Sequence, residues 1–280
     1  MRERRGDAED GCLSKEGQYR DRSRFPKNPA TWKLPNECAI LTKRELNTHA
    51  DPLQEGRRKN EGKQYLIPLG DVDRRPISFP VITAIIISVN IFVFLLELLN
   101  GEAFILRWSF IPSEIAAGRN LITILTAMFI HGGWLHIIGN MVFFWAFGPE
   151  IEDMMGRARY AVFYFSGGLV ATLAQVVVNP ASSVPNLGAS GAIAAVMGAF
   201  LITFPRDRIR TIVFLGFFVT IFLIPAILLV GFWFLIQLFS EVGSLVERRS
   251  GGGIAYAAHV GGFVFGVASA HLFRRRQRSV

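Results

Sequence analysis

The stretch VPNLGASGAIAAVMG, residues 184–198, places Ser190 between small residues where a polar loop gives way to a long apolar run. A serine in this position has three interpretations: a helix N-cap, a small packing residue or a nucleophile. The stretch is not the Gly-x-Ser-x-Gly turn of soluble hydrolases, because position 192 is Ala. The rest of the chain must therefore indicate which environment surrounds Ser190.

The composition of the chain is too apolar for an ordinary soluble domain. Of its 280 residues, 51% are hydrophobic and 24 are Phe. Every lysine lies at or before Lys63, and from Pro80 onward charged residues occur only as short groups between long uncharged runs. We therefore predict a cytoplasmic, largely disordered N-terminal extension at 1–79, a membrane domain at 80–273 and a basic cytoplasmic tail at 274–280.

The formal net charge of +8 does not indicate a nucleic-acid partner. The positive residues lie in the N-terminal extension and at the ends of apolar runs, where they orient a membrane protein. The two cysteines, Cys12 and Cys38, fit no metal-ligand spacing, and the sequence contains no His-Glu-x-x-His motif. We therefore expect no nucleic acid, no metal ion and no other cofactor.

Six apolar segments of the membrane domain are predicted to cross the bilayer, for which a helix needs about 20 apolar residues. Pro180 and Pro185 divide one long uncharged window into two of these segments. The six are Pro80–Leu99, one within Arg119–Glu150, Tyr160–Val178, Gly188–Phe204, one within Arg210–Glu241 that begins near Pro225, and Ile254–Phe273.

The basic residues predict the orientation of these spans. An even number of spans places both termini on the same side of the membrane. The side that holds both termini also holds Arg74, the RDRIR segment at 206–210 and the C-terminal arginines. The exception is the loop with Arg248 and Arg249, which falls on the opposite side. By the positive-inside rule the basic side is cytoplasmic. We expect a multi-pass protein of the cell membrane with its N- and C-termini in the cytoplasm.

Four polar side chains from three distant spans are predicted to lie at one depth near the external surface. They are Ser190 in the fourth span, His259 in the sixth, and His136 and Asn140, which share one helix face, in the second. Taken singly, His259 could be a packed histidine, and Asn140 could join two helices by a hydrogen bond. Because polar groups inside a membrane are costly, their conjunction favours a functional site.

A serine and a histidine within hydrogen-bond reach are the minimum for an activated hydroxyl nucleophile. No acidic residue lies in the external half of the fourth or sixth span, so Ser190 and His259 are predicted to act as a dyad. Small residues recur at every fourth position in both spans and allow the two helices to approach closely. His136, Asn140 and the first backbone N–H groups of the fourth helix can donate hydrogen bonds to an oxyanion.

Three segments together resemble the rhomboid family of intramembrane serine proteases, and the similarity extends over residues 67–273. They are TAMFIHGGWLHIIGNMVFFWAFGPEIEDMMG (126–156), GASGAIAAVMGAF (188–200) and AHVGGFVFG (258–266). The resemblance implies an all-α polytopic membrane protein, a six-helix rhomboid-like bundle that cleaves transmembrane substrates near their external ends.

The resemblance also implies a role for each residue that matches a family motif. Ser190 is the expected nucleophile and His259 the expected base. His136, Asn140 and the backbone of Gly191 are the expected oxyanion hole.

Two further matches are structural, and two positions depart from some bacterial relatives. Glu152 and Gly156 match a motif at the cytoplasmic end of the second span. Ala194 stands where those relatives stack a tyrosine under the histidine, and Ile122 and Thr123 stand where they carry Trp-Arg. The departures concern the packing of the histidine and the anchoring of the first loop.

The function predicted from these features is a serine-type endopeptidase acting on single-span or polytopic membrane proteins within the lipid bilayer. A Phe-rich face of the fifth span is predicted to act as a movable wall against the second span for lateral substrate entry, and its residues are Phe217, Phe218, Phe222, Phe232 and Phe234. The alternatives are a catalytically silent rhomboid-like membrane binding protein and a small transporter. Retention of Ser190 and His259 argues against the first, and the lack of inverted repeats argues against the second. The oligomeric state is left open.

Overall fold

The computed structural model describes residues 66–74, 76–215, 218–247 and 255–275, and this part of the chain is mostly helical. The predicted N-terminal extension up to residue 65, both cysteines and residues 276–280 of the basic tail lie outside these ranges. The elements are β1 (Leu66–Asp71), α1 (Val81–Asn100), α2 (Glu102–Trp108), α3 (Pro112–Ala116), α4 (Thr123–Thr126), a 3₁₀ turn (Ala127–Phe129), α5 (Trp134–Met155), α6 (Arg157–Val178), α7 (Ser190–Thr203), β2 (Arg208–Leu215), β3 (Phe218–Pro225), α8 (Ala226–Glu247) and α9 (Tyr256–Phe273).

Each of the six predicted spans overlaps one of the helices α1 and α5 to α9. Among the described helices, α1, α6 and α9 are long and apolar enough to cross a membrane. A fourth candidate combines residues 123–129 with α5, across a break that bends the chain by 91°. Helix α7 and the apolar part of α8, Ala226–Phe239, are shorter. By length and composition the structure therefore supports three or four spans.

Helix α1 has three polar side chains on its inner face and large apolar side chains on its outer face. Thr83, Asn90 and Glu97 are spaced seven residues apart, so they lie on one face, and all three are buried. On the opposite side Phe92 and Leu99 are largely exposed. A soluble helix has the reverse arrangement, so the outer face of α1 suits contact with lipid tails.

Glu152 on α5 fixes the start of helix α1. Its Oε1 accepts a hydrogen bond from the Ile82 N–H at 2.9 Å, and its Oε2 accepts from the Thr83 N–H at 2.8 Å. The first N–H groups of a helix have no partner within the helix and carry partial positive charge, so this buried carboxylate is well placed. Gly156 follows with φ 78°, a conformation that favours glycine, and separates α5 from α6.

Helix α7 is the central helix, and glycines of α9 approach its backbone directly. A Cβ on Gly262 would stand 2.1 Å from the carbonyl oxygen of Gly191, and one on Gly266 would stand 2.0 Å from that of Ala195. Residues 191–200 of α7 are all buried. The close approach predicted from the small residues is therefore confirmed, and it brings the start of α9 beside the start of α7.

We expect Gly266→Ala to lower the free energy of unfolding by about 1–3 kcal/mol, the usual cost of overpacking. The added methyl would meet a helix backbone, which cannot rotate away as a side chain can. Thermal unfolding in detergent measures the effect. The control is Gly231→Ala on α8, where nothing lies within 4 Å of the added Cβ. Equal unfolding midpoints for the two variants would contradict the prediction.

A three-stranded antiparallel sheet in the order β1-β2-β3 corrects the prediction of an all-α fold. Ile67 of β1 pairs with Ile212 of β2, and Arg210 of β2 pairs with Leu223 of β3. Strand β1 lies within 1–79, so residues 66–71 of the predicted N-terminal extension have regular structure. Half of the residues in β2 and half of those in β3 are β-branched, which favours strands, whereas hydrophobicity alone predicted this region as part of an apolar run.

Two ion pairs join the segment after β1 to the start of β2. Arg74 pairs with Asp207, and Arg208 pairs with Asp73. The Asp73 carboxylate also accepts the backbone N–H of Arg208 at 2.6 Å. Hydrogen bonds from the Arg208 side chain, and then from its backbone, lower the pKa of Asp73 from 3.8 to about 2. The Asp73 carboxylate therefore stays charged in the folded protein at pH values where it would be protonated in the unfolded chain.

This lowered pKa predicts how the stabilising effect of Asp73 depends on pH. The effect is complete above the unfolded pKa of 3.8 and is lost as the pH falls to about 2. We expect Asp73→Asn to unfold at a lower temperature than the wild type at pH 6, with the gap closing between pH 4 and about 2. A series of thermal unfolding curves tests this. A gap that stays constant down to pH 2 would contradict the prediction.

Candidate active site

Ser190 is the first residue of α7, and its hydroxyl contacts His259 in the first turn of α9. The distance between Ser190 Oγ and His259 Nε2 is 2.7 Å, although the two residues are 69 positions apart in the sequence. Ala189 occupies the N-cap position of α7, and no side chain caps this helix. The N-cap interpretation of Ser190 is therefore wrong, and the hydroxyl bonds a histidine instead.

His136 and Ser190 both lie close to the loop residue Gly188. A Cβ on Gly188 would stand 2.9 Å from His136 Nε2 and 3.5 Å from Ser190 Oγ, so both atoms border the same small space. The Gly132 N–H donates to His136 Nδ1 at 3.4 Å. Because Nδ1 accepts this hydrogen bond, the ring carries its proton on Nε2, directed at the space beside Ser190.

Asn140 is held by His131, a residue that the sequence analysis did not include in the site. The Asn140 Nδ2 lies 2.9 Å from His131 Nε2, and His131 Nδ1 lies 3.3 Å from the Phe129 carbonyl oxygen. The His131 backbone N–H donates to Glu97 Oε1 at 2.9 Å, and its fully buried ring packs edge-on to His136. The structure thus places His136 beside Ser190 and joins Asn140 to the site through His131.

Gln237 and Trp233 on α8 contact His259 and were also missed as site residues. The Gln237 Oε1 lies 2.7 Å from His259 Nδ1, and the Trp233 ring lies 5.9 Å from the His259 ring, centroid to centroid. Trp233 therefore lies beside the histidine, Phe232 is 57% exposed, and the movable wall stays a prediction. A lone glutamine within an apolar helix is a signal that could have identified Gln237.

The structure shows what surrounds the positions that differ from some bacterial relatives. Ala194 is fully buried in α7, so no ring from this helix supports His259, and Trp233 of α8 supplies an aromatic ring instead. In the first loop Ile122 is exposed and Thr123 is buried, and the Thr123 hydroxyl donates to the Asn120 carbonyl oxygen at 2.7 Å.

A small cavity opens beside Ser190, and Gly191 forms part of its wall. A Cβ on Gly191 would stand 2.6 Å from the Ala171 side chain, so α6 and α7 pack tightly here. The cavity leaves room for a small group next to the serine hydroxyl. Its other lining residues are Phe110, Ala127, Met128, Gly168, Ala171, Thr172, Asn186, Leu187, Gly188, Ala192, Ala255 and Ala258.

The chemistry that this arrangement allows is acyl transfer. A hydroxyl in contact with an imidazole can attack a carbonyl, and an N–H aimed at the adjacent space can bind the oxyanion. Within the ranges that the structure describes, no group of three His, Cys, Asp or Glu side chains could hold a metal ion.

Comparisons with known proteins identify several relatives of this chain. Rhomboid protein 1, mitochondrial, of Saccharomyces cerevisiae is 27% identical over 189 residues, which are 65% of this chain and 50% of that protein. Rhomboid protease GluP of Bacillus subtilis is 31% identical over 141 residues, 48% of this chain and 27% of that protein. The presenilin-associated rhomboid-like protein, mitochondrial, of Bos taurus is 31% identical over 136 residues, 48% of this chain and 35% of that protein. This chain therefore spans half or less of the length of each of these relatives.

The family model for the rhomboid domain matches residues 118–276, more than half of the chain. The matched region contains Ser190 and His259 as well as His136 and Asn140. The family match agrees with the apolar helices and with the polar inner face of α1. The chain therefore belongs to the rhomboid family of membrane proteins.

Proposed function

We propose that this protein is an intramembrane serine endopeptidase that cleaves transmembrane proteins near the external membrane boundary. The observation that carries the proposal is the 2.7 Å contact between Ser190 Oγ and His259 Nε2. A hydroxyl this close to an imidazole nitrogen can lose its proton as it attacks, which is the requirement for a serine nucleophile.

The first half of the proposed reaction transfers the acyl group to Ser190. The Ser190 Oγ forms a bond to the carbonyl carbon of the substrate peptide, and its proton moves to His259 Nε2. The carbonyl oxygen becomes an oxyanion in the tetrahedral intermediate. When the intermediate collapses, the C–N bond breaks and His259 gives its proton to the leaving amine.

The second half releases the acyl group to water. A water molecule gives a proton to His259 Nε2 and attacks the ester carbon. The bond to Ser190 Oγ then breaks, and the proton returns to the serine oxygen. The products are a carboxylic acid and an amine, and both protein residues end in their starting state.

His136 is the best-placed donor for the oxyanion in this proposal. Its Nε2 borders the space beside Ser190 Oγ. The first N–H groups of α7, including that of Gly191, have no partner within the helix and add further donors. Asn140 uses one amide hydrogen for His131 and keeps a second, which suits a supporting role.

The proposed membrane arrangement has six spans, one for each of α1 and α5 to α9. The basic residues near the ends of these helices support a common cytoplasmic end: Arg159 donates to the Arg274 carbonyl oxygen, and Arg275 donates its N–H to Met154. In this arrangement the cell membrane contains residues 80–273, and 1–79 and 274–280 are cytoplasmic. Ser190 then lies toward the opposite, external end.

The relatives support proteolysis and leave the choice of membrane to experiment. GluP is a rhomboid protease by name, and it shares 31% identity with this chain over 141 residues. The yeast and bovine relatives carry the word mitochondrial in their names.

The test compares cleavage of a single-span substrate by the wild-type protein and by Ser190→Ala, both solubilised in detergent. Mass spectrometry of the products locates the cut. Cleavage by the wild type at a position within or next to the span, absent in the variant, supports the proposal. Binding of substrate without cleavage by either protein would indicate a silent rhomboid-like binding protein instead.

A further inference from the structure

Gln237 is a buried amide in an otherwise apolar stretch of α8, and its side chain meets the catalytic candidate His259. The Gln237 Oε1 lies 2.7 Å from His259 Nδ1, while His259 Nε2 lies 2.7 Å from Ser190 Oγ. The two ring nitrogens are thus engaged by two different helices. Gln237 is 9% exposed, so water does not compete freely for this contact.

We propose that Gln237 is a positioning residue that fixes the tautomer and orientation of His259, so that Gln237, His259 and Ser190 form a hydrogen-bonded row of three side chains. This inference rests on the proposed function. It extends the predicted Ser-His dyad by a third member that bears no charge.

The chemistry of the imidazole decides which way the Gln237 amide is turned. When the amide oxygen accepts from Nδ1–H, the lone pair on Nε2 is free to accept the Ser190 proton. With the amide reversed, Nδ1 would accept from the amide N–H and Nε2 would carry the proton toward Ser190. A ring in that tautomer cannot act as a base at Nε2. The oxygen-facing orientation is therefore the one that supports catalysis.

A neutral amide suits this place better than the carboxylate found in soluble serine proteases. A charged carboxylate within a membrane carries a large desolvation cost, whereas an amide oxygen still accepts one strong hydrogen bond. The amide dipole also favours the imidazolium that forms when His259 takes the serine proton. Gln237 thus orients the ring without placing a permanent negative charge inside the helix bundle.

Helix α8 contacts the His259 ring through the Trp233 side chain as well as through the Gln237 amide. Trp233 is four residues before Gln237, so both side chains lie on the same helix face. The Trp233 ring lies 5.9 Å from the His259 ring with an interplanar angle of 38°. The orientation of His259 therefore depends on where α8 packs against α9.

The first experiment compares Gln237→Met with Gln175→Met in the cleavage assay. Methionine has a similar length and volume and no comparable acceptor, so the helices can still pack. We expect Gln237→Met to lower kcat by about 10- to 100-fold with little change in KM, part of the 10²- to 10⁴-fold that acid–base catalysis contributes. Gln175 is the matched control: it accepts the Ala258 N–H on α9 at 3.2 Å, away from the histidine ring.

The control should unfold at a lower temperature but turn over substrate much like the wild type. Ala258 N–H keeps its second acceptor, the Ala255 carbonyl oxygen at 3.1 Å, when Gln175 is replaced. Gln237→Glu supplies the conservative variant, because a carboxyl oxygen can still accept from His259 Nδ1–H, and we expect it to restore part of the turnover that Gln237→Met loses, since burying the carboxylate carries a desolvation cost. Equal loss of kcat in Gln237→Met and Gln175→Met would overturn the proposal.

A second readout does not depend on proteolysis. Nitrogen-15 NMR of the histidine-labelled protein in micelles distinguishes the two neutral tautomers, and subtraction of a His259→Gln spectrum identifies His259 among the five histidines. We expect the Nδ1–H tautomer in the wild type and a mixture in Gln237→Met. The same single tautomer in both proteins would overturn the positioning role.

The cleavage assay and the tautomer measurement, together with labelling of Ser190, distinguish failure of the inference from failure of the proposed function. A fluorophosphonate, which reacts with activated serines, labels Ser190 in an active wild type. If the wild type neither cleaves nor reacts, the protease proposal fails while the tautomer measurement still tests Gln237. If the wild type cleaves and Gln237→Met matches it in turnover, the inference fails and the protease proposal stands.

Discussion

Ser190→Ala and His259→Ala should each abolish proteolysis, with kcat falling by a factor on the order of 10⁴ to 10⁶. The two residues form one proton-transfer unit across a 2.7 Å contact, so the loss of either removes the nucleophile or its base. Initial rates with a single-span substrate measure the loss. The double variant should be no slower than either single variant, because groups that act as a unit are not additive.

Matched controls for this experiment lie on α9, away from the site. Ser269 bonds the carbonyl oxygen of Phe265 in its own helix, and His271 lies in the last turn. Ser269→Ala and His271→Ala remove the same chemical groups and should leave turnover near the wild-type rate. Full activity in Ser190→Ala or His259→Ala would remove the protease mechanism. A double variant slower by the product of the two single losses would show that the residues act independently.

The paired placement of Ser190 and His259 could be predicted from the sequence because the membrane limits the possibilities. Helices that cross a bilayer alternate in direction, so counting spans gives the end of the membrane at which each polar residue lies. Small residues at every fourth position then indicate which faces meet, and Gly262 and Gly266 meet the α7 backbone as expected. Depth and helix face together were sufficient to identify the pair.

Gln237 and His131 could not be recognised in the same way. The external halves of the fourth and sixth spans contain no acidic side chain that could orient His259. Its partner is instead the Gln237 amide on α8. His131 lies at the break before α5, where the chain bends by 91°, so no helical spacing relates it to Asn140. Periodicity predicts the face of a helix but not which side chains meet across a bend or between helices that are distant in the sequence.

The sheet was missed because its signal is weak within an apolar region. Strands β2 and β3 form a hairpin of mainly β-branched and aromatic residues that directly precedes α8, so hydrophobicity alone merges them with the fifth span. Strand β1 joins them through long-range pairing, as with Ile67 and Ile212, which a local pattern cannot show. Pro225 was correctly taken as the point before the helix, because α8 begins at Ala226.

His136→Ala should lower kcat by about 10²- to 10³-fold, the usual loss for one oxyanion donor, with little change in KM. The reason is that His136 Nε2 borders the same space as Ser190 Oγ, where the charge develops only in the transition state. Asn140→Ala should lower kcat by about 10- to 1,000-fold if it acts as one donor among several. Steady-state kinetics with one substrate measure both. A rise in KM with unchanged kcat would remove either residue from the oxyanion site.

The contact between Asn140 and His131 adds a sharper test of the same site. If His131 holds the Asn140 amide in place, His131→Phe should reduce kcat in the manner of Asn140→Ala, because the ring shape remains while the acceptor nitrogen is lost. The double variant Asn140→Ala/His131→Phe should then be no slower than the slower single variant, since residues in one hydrogen-bonded network are coupled. Independent losses that multiply in the double variant would contradict this arrangement. They would place His131 in a separate role, such as holding the chain break before α5 through its backbone contact with Glu97.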